Sequence, residues 1–402
     1  MKVLLVSESY WPNADGGALF ERRLALGLIG RGNEVVVWAP ATGFKSYLEQ
    51  DGPYTIHRER AVTFLANRKY KVSFWPFWHA RKLLLEVKPD VVHVHNMYLL
   101  GFSIIFWAKR MGIPVLSTNH FMAENATMNL KWLNGGLGKP LFDLANKIAW
   151  KEIIWALNKA DYVTTPTPTA LEIIVSRGLK PPSEAISNGI DLSIFKPGLD
   201  TSELVSKYGV RTDVPVILYV GRLDGEKRVD LIVKAFAEVL KKQPAQLVLA
   251  GFGKWMDSLK KLAVELGVDK DVVFTGYLDE ALKPNLYNAC SVFVIASPAE
   301  LQSIVTLEAM ATAKPIIAVD IAALSELCHD DENGFLFPAD DFMTLAQKIE
   351  TIISMPALGK KFGDESLNIV RTKHSTEITF EKYEAAYGKA LGIVAAKHKG
   401  KA

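Results

Sequence analysis

Two glutamates eight positions apart, Glu300 and Glu308, stand in the segment Ser297-Pro298-Ala299-Glu300-Leu301-Gln302-Ser303-Ile304-Val305-Thr306-Leu307-Glu308. A carboxylate accepts hydrogen bonds from hydroxyl groups, and a pair of them can hold the vicinal diols of a sugar and of a ribose. The preceding run Val292–Ala296 reads as a buried parallel strand, which puts Glu300 at its carboxyl end, and Ser303 has the chemistry of a helix N-cap. The N–H groups of Ile304, Val305 and Thr306 are then expected to face the bound molecule. A helix start of this kind attracts phosphate through its unpaired donors and partial positive charge. The combination suits a sugar nucleotide.

A second group points the same way. Tyr219-Val220-Gly221-Arg222-Leu223-Asp224-Gly225-Glu226-Lys227 places Arg222 and Lys227 at the carboxyl end of another strand, where two cations can neutralise a diphosphate leaving group without a metal ion. The bland alternative is a pair of solvated surface cations. In Ala250-Gly251-Phe252-Gly253-Lys254, Gly251 and Gly253 either border the nucleotide or simply turn the chain. Near the start, Gly16 and Gly17 follow Pro12, Asn13 and Asp15, allow close backbone approach to a ligand and lead into a helix near Leu19. They are not the dinucleotide pattern G-x-G-x-x-G.

His120 follows the strand Val115–Asn119 and is a candidate for the reaction site, against the general rule that a strand-end histidine is more often structural. His93 and His95, on Val91–His95, are expected to face opposite sides of their strand and so not to share a metal. Asp269-Lys270-Asp271 has the spacing of a metal-nucleotide motif but precedes its strand, so it reads as a solvated turn. No metal site is expected.

The elements that must position these residues are short Val/Ile/Leu-rich runs alternating with helical patterns, the mark of an α/β chain with parallel sheets. The first series is Lys2–Ser7, Glu34–Ala39, Tyr54–Arg58, Val91–His95, Val115–Asn119, Tyr162–Pro166 and Glu184–Ser187. A fresh series follows the break at Lys196-Pro197-Gly198-Leu199-Asp200, with Val216–Val220, Leu247–Ala250, Val272–Gly276, Val292–Ala296 and Ile316–Val319. Two Rossmann-like domains are expected, residues 1–197 for the acceptor and 198–375 for the donor, with a closing helix in 376–402 packing back on the first. Ligands of such sheets bind outside the carboxyl ends of the strands, so the expected site is the cleft between the domains.

At 402 residues, with 49% apolar and 23% charged residues, the chain is an ordinary globular protein and not a disordered or fibrous one. No leader-like layout opens it, and its longest apolar stretch, near Met97 to Ala108, is too short to span a bilayer, so a cytoplasmic protein is expected. Cys290 and Cys328 are isolated and read as reduced structural thiols. The net charge of +3 conceals a local excess: residues 51–150 hold thirteen Lys/Arg against six Asp/Glu. These lie near Phe74, Trp75, Phe77, Trp78, Trp107 and Trp132, a mixture that suits an anionic membrane surface, although solvated helix faces over buried aromatics are the competing reading. No nucleic-acid partner is expected.

Taken together, these residues resemble family 4 retaining glycosyltransferases of the GT-B fold over nearly the whole chain. The marks are Gly16-Gly17, Asp90-Val91-Val92-His93-Val94-His95, Thr118-Asn119-His120, Asn188-Gly189-Ile190-Asp191 with Phe195, Gly221-Arg222 with Glu226-Lys227, and the Glu300/Glu308 pair. The resemblance implies that Arg222 and Lys227 bind the donor diphosphate, Glu308 the ribose and Glu300 the transferred sugar. The backbone of Leu301, Gln302, Ser303, Ile304 and Val305 would lie near sugar and phosphate, Gly16 and Gly17 would approach the donor, and His120 would line the reaction site. It also implies retention of anomeric configuration, with the leaving phosphate helping to take the acceptor proton and no protein nucleophile, metal or cofactor. Ser303 departs from the glycine many relatives carry there.

Relatives that glucosylate diacylglycerol or mannosylate phosphatidylinositol resemble this chain in having a basic, aromatic first domain, and Thr118-Asn119-His120-Phe121-Met122-Ala123-Glu124-Asn125 looks most like the diacylglycerol side. The leading expectation is therefore transfer of a hexose, glucose first, from a nucleotide diphosphate sugar such as UDP-glucose to a hydroxyl of a membrane lipid such as diacylglycerol. The enzyme would then be peripheral on the inner face of the cell membrane. The alternatives are the same donor with a soluble sugar or polysaccharide acceptor, and a non-catalytic sugar-nucleotide-binding protein. A nicotinamide-dependent oxidoreductase is disfavoured by the missing glycine fingerprint.

Overall fold

Strands covered by helices on both faces must be apolar on both faces, and the runs Val3–Val6, Val91–Val94 and Val292–Ile295 are buried at every position. The computed structural model describes residues 1–12, 16–63, 71–95, 98–120, 139–298 and 300–399. The chain divides into two compact units, Met1–Ser187 with the residues from Thr379 onward, and Asn188–Ile378.

In the first unit the strands are β1 (Lys2–Val6), β2 (Glu34–Pro40), β3 (Tyr47–Asp51), β4 (Tyr54–Glu59), β5 (Ala61–Thr63), β6 (Lys71–Ser73), β7 (Val91–Val94), β8 (Val115–Thr118), β9 (Tyr162–Thr165) and β10 (Ser183–Ala185). Eight of them form a sheet in the order β10-β9-β8-β7-β1-β2-β4-β3, parallel except for the β3/β4 edge, while β5 and β6 make a separate antiparallel pair. The helix Thr376–Lys399 brings Tyr383, Ala386, Tyr387 and Ala390 into the same buried cluster as Val3, Phe20, Leu24, Val37 and Val91. Gly27 has no side chain because Phe380 fills its place: a Cβ there would lie 2.1 Å from the Phe380 ring.

Buried at the end of β1, Glu8 does the work of a helix cap. Tyr98 precedes the helix Leu99–Met111 without a capping side chain, and the Glu8 carboxylate accepts the Leu100 N–H instead. Burial pushes its pKa from 4.5 up to about 8 against the pull of the Leu100 and Gly101 amides. The folded state therefore holds a proton that the unfolded chain releases near 4.5. Its contribution to stability is full below that point and is lost as pH rises toward 8. Thermal unfolding of Glu8→Gln is expected to show a shallower loss of stability between pH 5 and 8 than the unsubstituted protein, a difference of a few kcal/mol; parallel curves would remove Glu8 as the titrating group.

The second unit holds β11 (Val216–Val220), β12 (Gln246–Ala250), β13 (Val272–Gly276), β14 (Val292–Ile295), β15 (Ile316–Val319) and β16 (Gly334–Phe337), parallel throughout in the order β13-β12-β11-β14-β15-β16. Chain order reverses between β11 and β14. At such a reversal the loops leaving the two strands turn to opposite faces and open a crevice at the carboxyl end of the sheet.

Candidate active site

The loops leaving β11 and β14 carry most of the candidate donor residues, and they flank this reversal. The loop after β11 is locked to the one after β12. Gly221 N–H donates to Ala250 O at 2.9 Å, Leu223 N–H to Phe252 O at 3.2 Å, Trp255 N–H to Leu223 O at 2.8 Å, and Lys254 N–H to the Asp224 carboxylate at 2.9 Å. This close approach explains the glycines. A Cβ on Gly251 would meet Gly221 O at 1.9 Å, and one on Gly253 would meet Leu223 O at 2.3 Å, so both are required for backbone packing. Below the loop, Tyr219 donates its hydroxyl to Arg222 O at 2.9 Å.

Each cation of the site already has carboxylate partners. Arg222 bridges Asp224 and Glu226, the latter at 2.8 Å, and Lys227 donates to Glu300 at 2.6 Å and to Ser297 Oγ at 3.4 Å. Two cations thus face three carboxylates, an excess of one negative charge. An anion entering this group must exchange partners with these carboxylates: Lys227 can turn to it only by leaving Glu300, whose oxygen is then available to other donors.

Ser303 caps the helix Ile304–Ala311, its Oγ accepting from Thr306 N–H at 3.3 Å and from the Thr306 hydroxyl at 2.8 Å. Of the three amides expected to face a ligand, that of Thr306 is therefore taken by the cap. Those of Ile304 and Val305 lie in the first turn, where helix geometry supplies no acceptor. Gln302 is buried and accepts from Asn188 N–H at 2.8 Å, which fixes the Leu301–Ser303 backbone. One turn into the helix, buried Glu308 accepts from Lys283 at 3.0 Å and from the Tyr287 hydroxyl at 2.7 Å. No spacing in the sequence pointed to these two partners.

His120 belongs to the first unit, at the end of β8, within a stack of aromatic rings. It lies 5.2 Å from Phe20 and parallel to His95 at 5.6 Å, with a 3.5 Å contact between His95 Nδ1 and His120 Nε2. His93 and His95 do not face opposite sides of the strand as expected. Their rings are 4.0 Å apart, because residues two positions apart on a strand share a face. His93 is held by Tyr387 at 2.8 Å and Thr118 at 2.7 Å. Burial lowers all three pKa values, that of His120 to about 4, so these imidazoles are neutral at pH 7. Among the described residues no cluster of His, Cys, Asp or Glu has the form of a metal site.

Gly16 and Gly17 open the helix Gly16–Gly30, and a Cβ on Gly16 would meet nothing within 4 Å. Asn13, Asp15 and Trp132 lie outside the described residues. Asp269–Asp271 is a single helical turn leading into β13, at the amino end of that strand. Cys290 and Cys328 are buried and free.

The aromatic, basic region divides. Phe77 and Trp107 are half-buried and pack together at 5.4 Å, whereas Phe74, Trp75 and Trp78 are exposed beside Arg81 and Lys82. The helix Lys139–Leu157 also exposes Leu141, Leu144, Ile148 and Trp155, spaced along one face and interleaved with exposed Lys139, Lys147 and Lys151. Among the described residues no helix is long and apolar enough to cross a membrane.

Comparison with known proteins agrees with this geometry. The family described as Glycosyltransferase Family 4 matches residues 14–194, and that described as Glycosyl transferases group 1 matches residues 200–368. The chain is 26% identical over 388 residues to alpha-monoglucosyldiacylglycerol synthase of Streptococcus pneumoniae, covering 95% of this chain and 85% of that protein. To the Acholeplasma laidlawii protein of the same name it is 28% identical, over 84% of this chain and 85% of the relative. Among solved structures, the Anabaena protein HepE in complex with UDP and glucose superposes with a TM-score of 0.73 at 18% identity, covering 96% of this chain and 99% of that one. With one family matching the first unit, the other matching the second and the fold shared over nearly all its length, this chain belongs to the family 4 glycosyltransferases of the GT-B fold.

Proposed function

We propose that this glycosyltransferase moves glucose from UDP-glucose to a hydroxyl of a membrane lipid of the diacylglycerol class, with retention of configuration. The observation that carries the donor reading is the Lys227–Glu300 pair at the β11/β14 reversal, 2.6 Å apart and beside the capped start of the helix Ile304–Ala311. Lys227, Arg222 and the amides of Ile304 and Val305 take the diphosphate, so protein donors rather than a metal balance its charge. Glu300 accepts from the sugar hydroxyls, and Glu308 accepts from the ribose. The backbone of Leu301, Gln302 and Ser303 borders the sugar, and Gly251 and Gly253 let the nucleotide approach. His120, Gly16 and Gly17 keep the donor-side roles that the family resemblance implies.

In the transfer, the bond from sugar C1 to the β-phosphate oxygen breaks and the acceptor oxygen bonds C1 on the same face. The acceptor proton passes to the departing phosphate oxygen. No group on the protein need form a bond to the sugar. The lipid acceptor is supported by the exposed Phe74, Trp75 and Trp78 beside Arg81 and Lys82, and by the apolar, lysine-flanked stripe of the helix Lys139–Leu157. It is also supported by the likeness to the two diacylglycerol-class synthases.

The protein incubated with liposomes of diacylglycerol and anionic phospholipid, with labelled UDP-glucose, UDP-galactose or GDP-mannose, is expected to give a glycolipid from UDP-glucose. Label appearing only in water-soluble product would replace the lipid with a soluble acceptor. Binding of UDP-glucose in calorimetry with neither transfer nor hydrolysis under any acceptor would make the protein a sensor.

A further inference from the structure

Glu308 is a carboxylate in a place that disfavours charge. It is 5% exposed, in the second turn of the helix Ile304–Ala311, and burial raises its pKa above the ordinary 4.5. Two groups on one neighbouring helix oppose that effect. Lys283 and Tyr287 lie four residues apart on Lys283–Ala289, hence on the same face, and each takes a different oxygen: Lys283 Nζ donates to Oε1 at 3.0 Å and the Tyr287 hydroxyl donates to Oε2 at 2.7 Å. Tyr287 is fully buried, and burial beside this carboxylate holds its phenol protonated and donating. Glu280, in the turn before that helix, works the other way, but it is largely exposed and 3.6 Å from Lys283. Behind Tyr287, buried Cys290 has its thiol pushed up to about 11 and stays uncharged.

A carboxylate has about four lone-pair directions, two on each oxygen. Lys283 and Tyr287 use one on each, leaving one on each. That is the acceptor pattern for two adjacent hydroxyl groups. We infer that Lys283 and Tyr287 are positioning residues for Glu308, holding its carboxylate charged and oriented so that its two remaining acceptor sites receive the 2′ and 3′ hydroxyls of the donor ribose. The inference rests on the assignment of Glu308 to the ribose made above. It makes specificity for ribonucleotide donors a property of two residues that do not touch the ligand.

Calorimetric affinities for UDP and 2′,3′-dideoxy-UDP between pH 6 and 9 test this, because their ratio cancels the titration of the phosphates. The unsubstituted protein is expected to favour UDP by about tenfold or more across the range, as for two hydrogen bonds to a charged acceptor. Equal affinities there would overturn the ribose assignment and the inference with it. Lys283→Met is expected to bring the ratio toward one near pH 6 and to recover it as pH rises, since a buried carboxyl without its cation takes up a proton. Lys283→Arg is expected to restore the ratio at low pH. A folded Lys283→Met protein with the unsubstituted ratio at every pH overturns the inference while the ribose assignment stands. If Lys283→Met does not fold, Tyr287→Phe carries the same test: a reduced ratio supports the inference and an unchanged one overturns it.

Discussion

Lys227→Ala is expected to lower kcat/KM for sugar transfer by about 10²–10³-fold, the usual loss when a single positioned donor at a developing negative charge is removed. Its ammonium, in the turn that follows β11, lies 2.6 Å from Glu300, which precedes the capped start of the helix Ile304–Ala311, and it is one of the donors proposed for the leaving diphosphate. Glu300→Gln is expected to lose turnover to a similar degree with the opposite effect on product affinity. Removing the carboxylate releases Lys227 and abolishes the excess negative charge of the group, so UDP is expected to bind at least as tightly as before while transfer fails. Steady-state kinetics with calorimetry of UDP reads both effects. Near-normal turnover in both variants refutes the roles given to these residues, and parallel losses of UDP affinity refute the exchange of partners.

Gly251→Ala is expected to be the most damaging single methyl group in the second unit's site. The residue has φ of +144°, a backbone conformation that side-chain-bearing residues rarely adopt, and the added carbon would lie 1.9 Å from Gly221 O. Either the loop after β11 or the loop after β12 must shift, breaking the contacts that place Arg222 and Asp224. A loss on the order of 3 kcal/mol is expected, equivalent to a fall in melting temperature of about 6–12 °C for a unit of this size, with weaker UDP binding in the protein that remains folded. A melting curve unchanged from that of the parent would mean that the loops adjust freely.

The strands that carry the site were legible because burial on both faces leaves an uninterrupted apolar run. β11, β13 and β15 have the expected bounds, and most of the others differ by a residue at one end. β3 was not legible, since an edge strand written Tyr47-Leu48-Glu49-Gln50-Asp51 is largely exposed and carries neither a run nor an alternation. β16, Gly334–Phe337, opens on a glycine and has none of the β-branched residues that mark the short strands β14 and β15, so it does not stand out. The N-cap role of Ser303 could be read from residue type and position, because capping is local chemistry. The partners of the charged residues could not, because they are set by tertiary packing: Lys283 reaches Glu308 from another helix, and Tyr387 reaches His93 across 294 positions of sequence. The two strand histidines were assigned to opposite faces although the period of a strand puts them on one. Residue type suggested two cations able to neutralise a diphosphate, whereas the structure shows their charge already answered by Asp224, Glu226 and Glu300.

The helix Thr376–Lys399 sets an order on biosynthesis. Its Tyr383, Ala386, Tyr387 and Ala390 are made after the whole of the second unit, yet they complete the cluster begun by Val3, Leu5 and Phe20. During translation Phe20 and Leu24 lack their final cover until the second unit has been made. A chain stopped before Thr376 keeps that surface open to self-association, so loss of this helix damages the core of the first unit before that of the second.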